Sequence, residues 1–286
     1  MRDRTRRWVI GGFATVGVLA LTAACSAGGT IGNSATPRPR SEPVGATNVP
    51  ARSLGGGLTL EPVGAVEGAP LGYAEYLPPG YGEGRPRPLL VFLHGTGEAG
   101  DGSEAALGDI LKLGIPKIIS NRDWAHDRPF IVLMPQYGVD VAGDCQMAEQ
   151  VDGFLKFALE HYEVDERRVY LTGVSCGAIG GWDYLATYGE DVVSAAVLIS
   201  GHANEALQKA GCALGQVPLW VFHGAEDSVV PKRYIAGQIA QLRACDPPPE
   251  ELEFTVYPGR DHNAWDPTYK RSGGHDIYGW LLEHEG

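Results

Sequence analysis

Val169-Tyr170-Leu171-Thr172-Gly173-Val174-Ser175-Cys176-Gly177-Ala178-Ile179-Gly180-Gly181-Trp182 is an apolar run that ends in a Gly-x-Ser-x-Gly turn and continues straight into small residues. The first part predicts a strand and the last part a helix, so Ser175 stands at a tight strand-to-helix turn. Glycines flank it where a Cβ would collide with crossing backbone. A serine held in this way projects its hydroxyl from the carboxyl end of the strand. The new helix aims its free N–H groups and the positive end of its dipole at the same point. The bland alternative is a glycine-rich joint with a spectator serine.

On both sides of that turn, strand and helix patterns alternate. Upstream, 58–60 and 72–77 alternate apolar and polar residues well enough for an opening antiparallel pair of strands. Pro78-Pro79-Gly80-Tyr81 then marks a turn. Leu89-Leu90-Val91-Phe92-Leu93 and Phe130-Ile131-Val132-Leu133-Met134 are continuous apolar runs, as expected of strands covered on both faces. A helical segment near 103–113 follows the first run. Val151, Phe154, Leu155, Ala158 and Leu159 recur at helical spacing after the second. Downstream come strands at 195–199, 218–222 and 252–257, with helices near 232–244 and 276–284. Strands alternating with helices predict an α/β architecture with a doubly wound, mostly parallel sheet. In such sheets, sites form at the carboxyl edge of the strands.

A serine hydroxyl is a poor nucleophile until a base takes its proton, and the base needs a third group to orient it. A fold built on this turn orders the three as serine, acid and histidine. Asp227 and His262 follow late strands in that order, within His223-Gly224-Ala225-Glu226-Asp227 and Pro258-Gly259-Arg260-Asp261-His262. Glu226 is a rival acid. His94 and His223 read as hydrogen-bonded loop supports, and Asp261 and Asp266 as surface or helix-capping carboxylates. Trp182 reads as core, whereas Trp265 could line an acyl or aryl pocket.

Leu-Pro-Pro-Gly-Tyr at 77–81, Phe-Leu-His-Gly-Thr-Gly-Glu at 92–98, Val-Asp-Glu-Arg-Arg-Val-Tyr-Leu-Thr-Gly-Val-Ser at 164–175 and Asp-His-Asn-Ala-Trp-Asp at 261–266 carry a family likeness. The chain resembles the α/β-hydrolases over essentially all of 58–286. More narrowly, it is similar to cap-less secreted esterases related to feruloyl esterases, polyhydroxyalkanoate depolymerases and a group of predicted peptidases. The resemblance implies a Ser175–His262–Asp227 triad that cleaves carboxylic esters through an acyl-enzyme. It puts the acid at Asp227 rather than Glu226. It also implies an oxyanion hole formed by the backbone N–H groups of Thr96 and Cys176, with no cofactor. The residue after the nucleophile is usually aliphatic or methionine in that family, so Cys176 is a departure. Relatives often insert a lid between positions matching Gly201 and Val217. That stretch is short here, which predicts an open cleft suited to bulky, polymeric or surface-presented esters. A serine peptidase of the same fold is one alternative. A non-catalytic ligand-binding lipoprotein is the other, and a missing triad member would favour it. Acyl and alcohol specificity and oligomeric state are not legible in the residues.

The N-terminus reads as a targeting segment. Arg2, Arg4, Arg6 and Arg7 precede an uncharged apolar stretch from Trp8 to Ala24. Leu21-Thr22-Ala23-Ala24-Cys25 resembles a bacterial lipobox, which would make Cys25 the lipidated first residue of an exported protein. Thr5-Arg6-Arg7-Trp8-Val9-Ile10 also resembles a twin-arginine export signal. A plain membrane anchor or a conventionally cleaved signal would equally place the remainder outside the cytoplasm. Residues 25–53 are rich in Gly, Ser, Thr, Pro and Ala and read as a flexible tether. The domains expected are therefore 1–24 signal, 25–53 tether and 54–286 catalytic. Any membrane contact would run through the N-terminal lipid. A net charge of −12, with no basic cluster beyond the N-terminus, argues against a nucleic-acid partner.

Setting Cys25 aside leaves Cys145, Cys176, Cys212 and Cys245. An even count outside the cytoplasm predicts two disulfides with three possible connectivities, and no spacing suggests a metal site. The expected sheet puts Cys145 and Cys176 at the active-site edge and Cys212 and Cys245 at the opposite one. The pairs predicted are Cys145–Cys176 and Cys212–Cys245.

Overall fold

Eight strands form the sheet: β1 (Leu58–Glu61), β2 (Tyr73–Tyr76), β3 (Arg87–Leu93), β4 (Ile131–Pro135), β5 (Val164–Val174), β6 (Ala195–Ile199), β7 (Leu219–Gly224) and β8 (Leu252–Tyr257). Their spatial order is β1-β2-β4-β3-β5-β6-β7-β8. β2 runs antiparallel to both β1 and β4, and every other pairing is parallel. The structure, a computed structural model, describes residues 57–138, 145–189 and 192–286. All of them fall within one unit, Pro50–Gly286. The expected signal, Cys25 and the tether lie outside the described residues.

Helices cover both faces: α1 (Glu104–Leu107), α2 (Gly114–Ser120), α3 (Ala148–His161), α4 (Cys176–Tyr188), α5 (Asn204–Ala210), α6 (Arg233–Arg243), α7 (Trp265–Tyr269) and α8 (Ile277–Leu282). Successive strand side chains point to opposite faces, so each apolar run feeds two cores at once. Leu89, Val91 and Leu93 of β3 pack with Ile131 and Leu133 of β4 against Val151, Phe154, Trp182 and Ile235 from α3, α4 and α6. Leu90 and Phe92 pack with Val132 and Met134 on the other face, against Ile115, Tyr269 and Tyr278 from α2, α7 and α8. That division is why these strands show no polar alternation.

The helical segment expected over 103–113 is broken. α1 ends at Leu107 and a 3-10 turn, Gly108–Lys112, follows. Leu113 is then extended, and Gly114 turns back at φ 61° with its Cα hard against Phe92, where a Cβ would meet the ring at 2.6 Å. A continuous helix cannot make that corner. β5 also starts earlier than its apolar part indicates, because Val164 pairs with Arg87 before a register shift brings Val169 opposite Leu89. Among the described residues no helix is long and apolar enough to cross a membrane.

Both expected disulfides are present, Cys145–Cys176 and Cys212–Cys245. Two cross-links in one domain point to an oxidising compartment.

Candidate active site

β5 delivers Ser175 to the carboxyl edge of the sheet, and α4 begins at the next residue. Ser175 has φ 53°, ψ −118°, a conformation that a side chain adopts only under constraint. The flanking glycines supply that constraint. A Cβ on Gly173 would lie 2.4 Å from the Gly177 carbonyl oxygen, and one on Gly177 would lie 2.2 Å from that of Leu93. The Ser175 N–H donates to Ile199 at 2.9 Å, which ties the turn to β6.

His262 arrives from the loop after β8. Its Nε2 lies 2.9 Å from Ser175 Oγ and its Nδ1 lies 2.9 Å from Asp227 Oδ2. The Asp227 side chain has no solvent exposure, and that of His262 retains 18%. Asp227 Oδ1 accepts the N–H groups of Val229 and Val230 at 2.9 and 2.8 Å, which leaves Oδ2 for the imidazole. Asp227 is therefore the carboxylate against His262. Glu226 is exposed, and its N–H donates to the Arg260 carbonyl at 2.8 Å, which helps dock the two loops.

Thr96 opens a 3-10 turn, Thr96–Glu98, immediately after the β3 edge, and Cys176 is the first residue of α4. An N–H at either position precedes the first internal bond of its turn or helix, so it is free to point outward. The Gly95 carbonyl accepts from Glu98 N–H at 3.3 Å and from His94 Nδ1–H at 2.7 Å. In a trans peptide the N–H lies opposite the carbonyl, so anchoring the Gly95 oxygen aims the Thr96 N–H the other way. His94 Nε2 in turn accepts from Tyr137 N–H at 3.2 Å, and the two rings stack 3.9 Å apart. Burial pushes the His94 imidazole down to about 4, which keeps it neutral with its proton on Nδ1.

His223 contacts the acid itself. Its Nε2 lies 3.2 Å from Asp227 Oδ2 and 2.8 Å from the Val230 carbonyl. Burial lowers its pKa, so it stands as a neutral donor beside the carboxylate. Asp261 departs from its reading as an ordinary surface or capping carboxylate. Its Oδ1 accepts from Ser228 N–H and from His262 N–H, both at 2.8 Å, and from Ser228 Oγ at 2.9 Å. The Ser228 bonds hold its pKa below the usual carboxylate range. Asp261 thus staples the loop of His262 to the loop of Asp227. Asp266 does sit at the surface, 3.3 Å from Lys270.

Two further residues were missed in the sequence. Ser200 follows β6 at φ 55°, fully buried, and its Oγ donates to the His262 carbonyl at 2.7 Å. Its position one step past a strand end was the only available signal. Gln136, buried just beyond β4, donates to the carbonyls of Glu98 and Ala106 and accepts from Gly102 N–H. It fixes the loop downstream of Thr96, and nothing in its sequence context marks it. Trp182 is core, and half-buried Trp265 stands edge-on to His262 with ring centroids 5.3 Å apart.

Carboxylate, imidazole and hydroxyl thus form a continuous chain of contacts at the sheet's carboxyl edge. Solved structures with a similar fold include a thermostable esterase, 25% identical with a TM-score of 0.58 over 80% of this chain. The fold is that of the α/β-hydrolases. The chain spans 63% of the length of that esterase. A dienelactone hydrolase-like protein from Klebsiella pneumoniae matches at 16% identity and a TM-score of 0.55, over 79% of this chain and 98% of its own. Esterase 2 of Thermogutta terrifontis, described as phosphorylated by paraoxon, matches at 17% identity and a TM-score of 0.53, over 79% and 94%. No family model and no curated protein matches by sequence.

Proposed function

We propose that this α/β-hydrolase-fold protein is a serine hydrolase of carboxylic esters. Ser175 attacks the ester carbonyl while His262 Nε2 takes its proton, and Asp227 stabilises the imidazolium through Nδ1–H. The tetrahedral oxyanion is held by the N–H groups of Thr96 and Cys176, each worth about 3 kcal/mol to the transition state. Collapse breaks the bond to the alcohol, which leaves with the proton from His262. Water then enters, gives its proton to His262 and attacks the acyl-enzyme, and the free acid departs as Ser175 is reprotonated. The observation that carries this reading is the pair of 2.9 Å contacts that His262 makes with Ser175 and Asp227.

The short connection between β6 and β7, which holds only α5 and a 3-10 turn, supports an open site for bulky or polymeric esters. Export of residues 54–286 on a 25–53 tether, with lipid attachment at Cys25, is the matching reading of the N-terminus. The two disulfides are consistent with it. The test is hydrolysis of a short-chain p-nitrophenyl ester by the purified protein and by Ser175→Ala. The substitution should lower kcat by about 10⁶. Equal rates would remove Ser175 from the chemistry.

A further inference from the structure

Glu98 presents a carboxylate that the reaction above does not use. It closes the turn begun by Thr96, half-buried, on the same side of Gly95 as the nucleophile. The point where a Gly95 Cβ would stand is 3.2 Å from Glu98 Oε2 and 3.8 Å from Ser175 Cβ. Burial raises the Glu98 pKa above the usual carboxylate value, partly offset by backbone hydrogen bonds from Gly95 and from Glu98 itself. Among the described residues no cation pairs with it. The nearby Lys112 is engaged by Asp109 at 2.6 Å.

An unpaired negative charge beside an oxyanion site opposes the charge that develops during reaction, so for a neutral ester it brings no catalytic gain. It has a use if the substrate brings the opposite charge. We propose that Glu98 selects substrates by charge, favouring esters that carry an ammonium or similar cation a few atoms from the scissile carbonyl and disfavouring anionic ones. Partial burial keeps solvent from screening the carboxylate fully, and its backbone donors hold it in place without neutralising it. The inference rests on the serine-hydrolase reading and narrows it to a substrate class. The alternative role is purely structural: the side chain folds the turn and is indifferent to the substrate's charge.

Three p-nitrophenyl esters of matched length separate the two roles: 4-aminobutyrate, pentanoate and hemisuccinate, which are cationic, neutral and anionic at pH 7.5. In the wild-type protein kcat/KM should fall in that order, by about tenfold per step. Glu98→Gln, which keeps an acceptor for the turn, should compress the whole range to within about threefold. Glu98→Asp should preserve the order. Overturning results are a wild-type preference for the neutral ester or an equal loss on all three esters in Glu98→Gln. A wild-type protein that hydrolyses none of them overturns the ester-hydrolase reading and this inference with it. One that hydrolyses all three without regard to charge leaves the former standing and removes only the latter.

Discussion

Asp227→Asn isolates one atom of the proton relay. Oδ1 is committed to the N–H groups of Val229 and Val230, both donors, so the amide must keep its oxygen there. The amide NH2 then occupies the Oδ2 position, 2.9 Å from His262 Nδ1. Two donors cannot share that contact, so His262 gives up its Nδ1 proton and carries it on Nε2, facing Ser175. A protonated, neutral Nε2 cannot accept the serine proton. The substituted amide also turns a donor toward His223 Nε2, 3.2 Å from the same oxygen. Loss of the correct tautomer should cost about 10⁴ in kcat, or about 5 kcal/mol of transition-state stabilisation. The assay is steady-state hydrolysis of a p-nitrophenyl ester at pH 7.5, with thermal unfolding measured in parallel to show that the loop bonds survive. Activity within tenfold of wild type, in a protein that melts normally, would refute the tautomer reasoning and the assignment of Asp227.

Two further outcomes concern stability. His94 has a folded pKa of about 4 against an ordinary 6.5, so its contribution is complete above pH 6.5 and is lost as pH falls toward 4. The unfolded chain binds the proton first in that window, so wild type should lose about 3 kcal/mol more than His94→Gln between pH 7 and 4. Urea unfolding at each pH checks it, and parallel curves would contradict it. Cys145→Ser opens a disulfide of sequence separation 31, which should cost about 3.5 kcal/mol by loss of chain constraint. Calorimetry should find Tm lower by about 10 °C, and an unchanged Tm would mean that the link does not restrain the unfolded state.

Ser175, Asp227 and His262 were legible because each follows a strand pattern, a buried apolar run for β5 and β7 and an alternating one for β8, and parallel strands end along one edge. Such placement depends on local pattern and chain order. Asp261, Ser200 and Gln136 were not legible because their roles are contacts with segments distant along the chain. Asp261 looks like any surface carboxylate until Ser228, 33 residues earlier, is brought to its side. Ser200 is a strand-end serine until the His262 carbonyl is set 2.7 Å from its hydroxyl.

The sequence by itself determined the α/β class, the serine turn and the sheet edge at which Ser175, Asp227 and His262 meet, because backbone sterics and hydrophobic periodicity act over a few residues. It left the break at Gly108–Gly114 unseen, since the constraint there is the Phe92 ring from another strand. Only the tertiary structure decided which carboxylate faces the imidazole and which loops are stapled. It also decided where Glu98 comes to rest beside the nucleophile. Hydrogen bonds and charges act over a few ångströms of space, and chain order alone does not say which groups will meet.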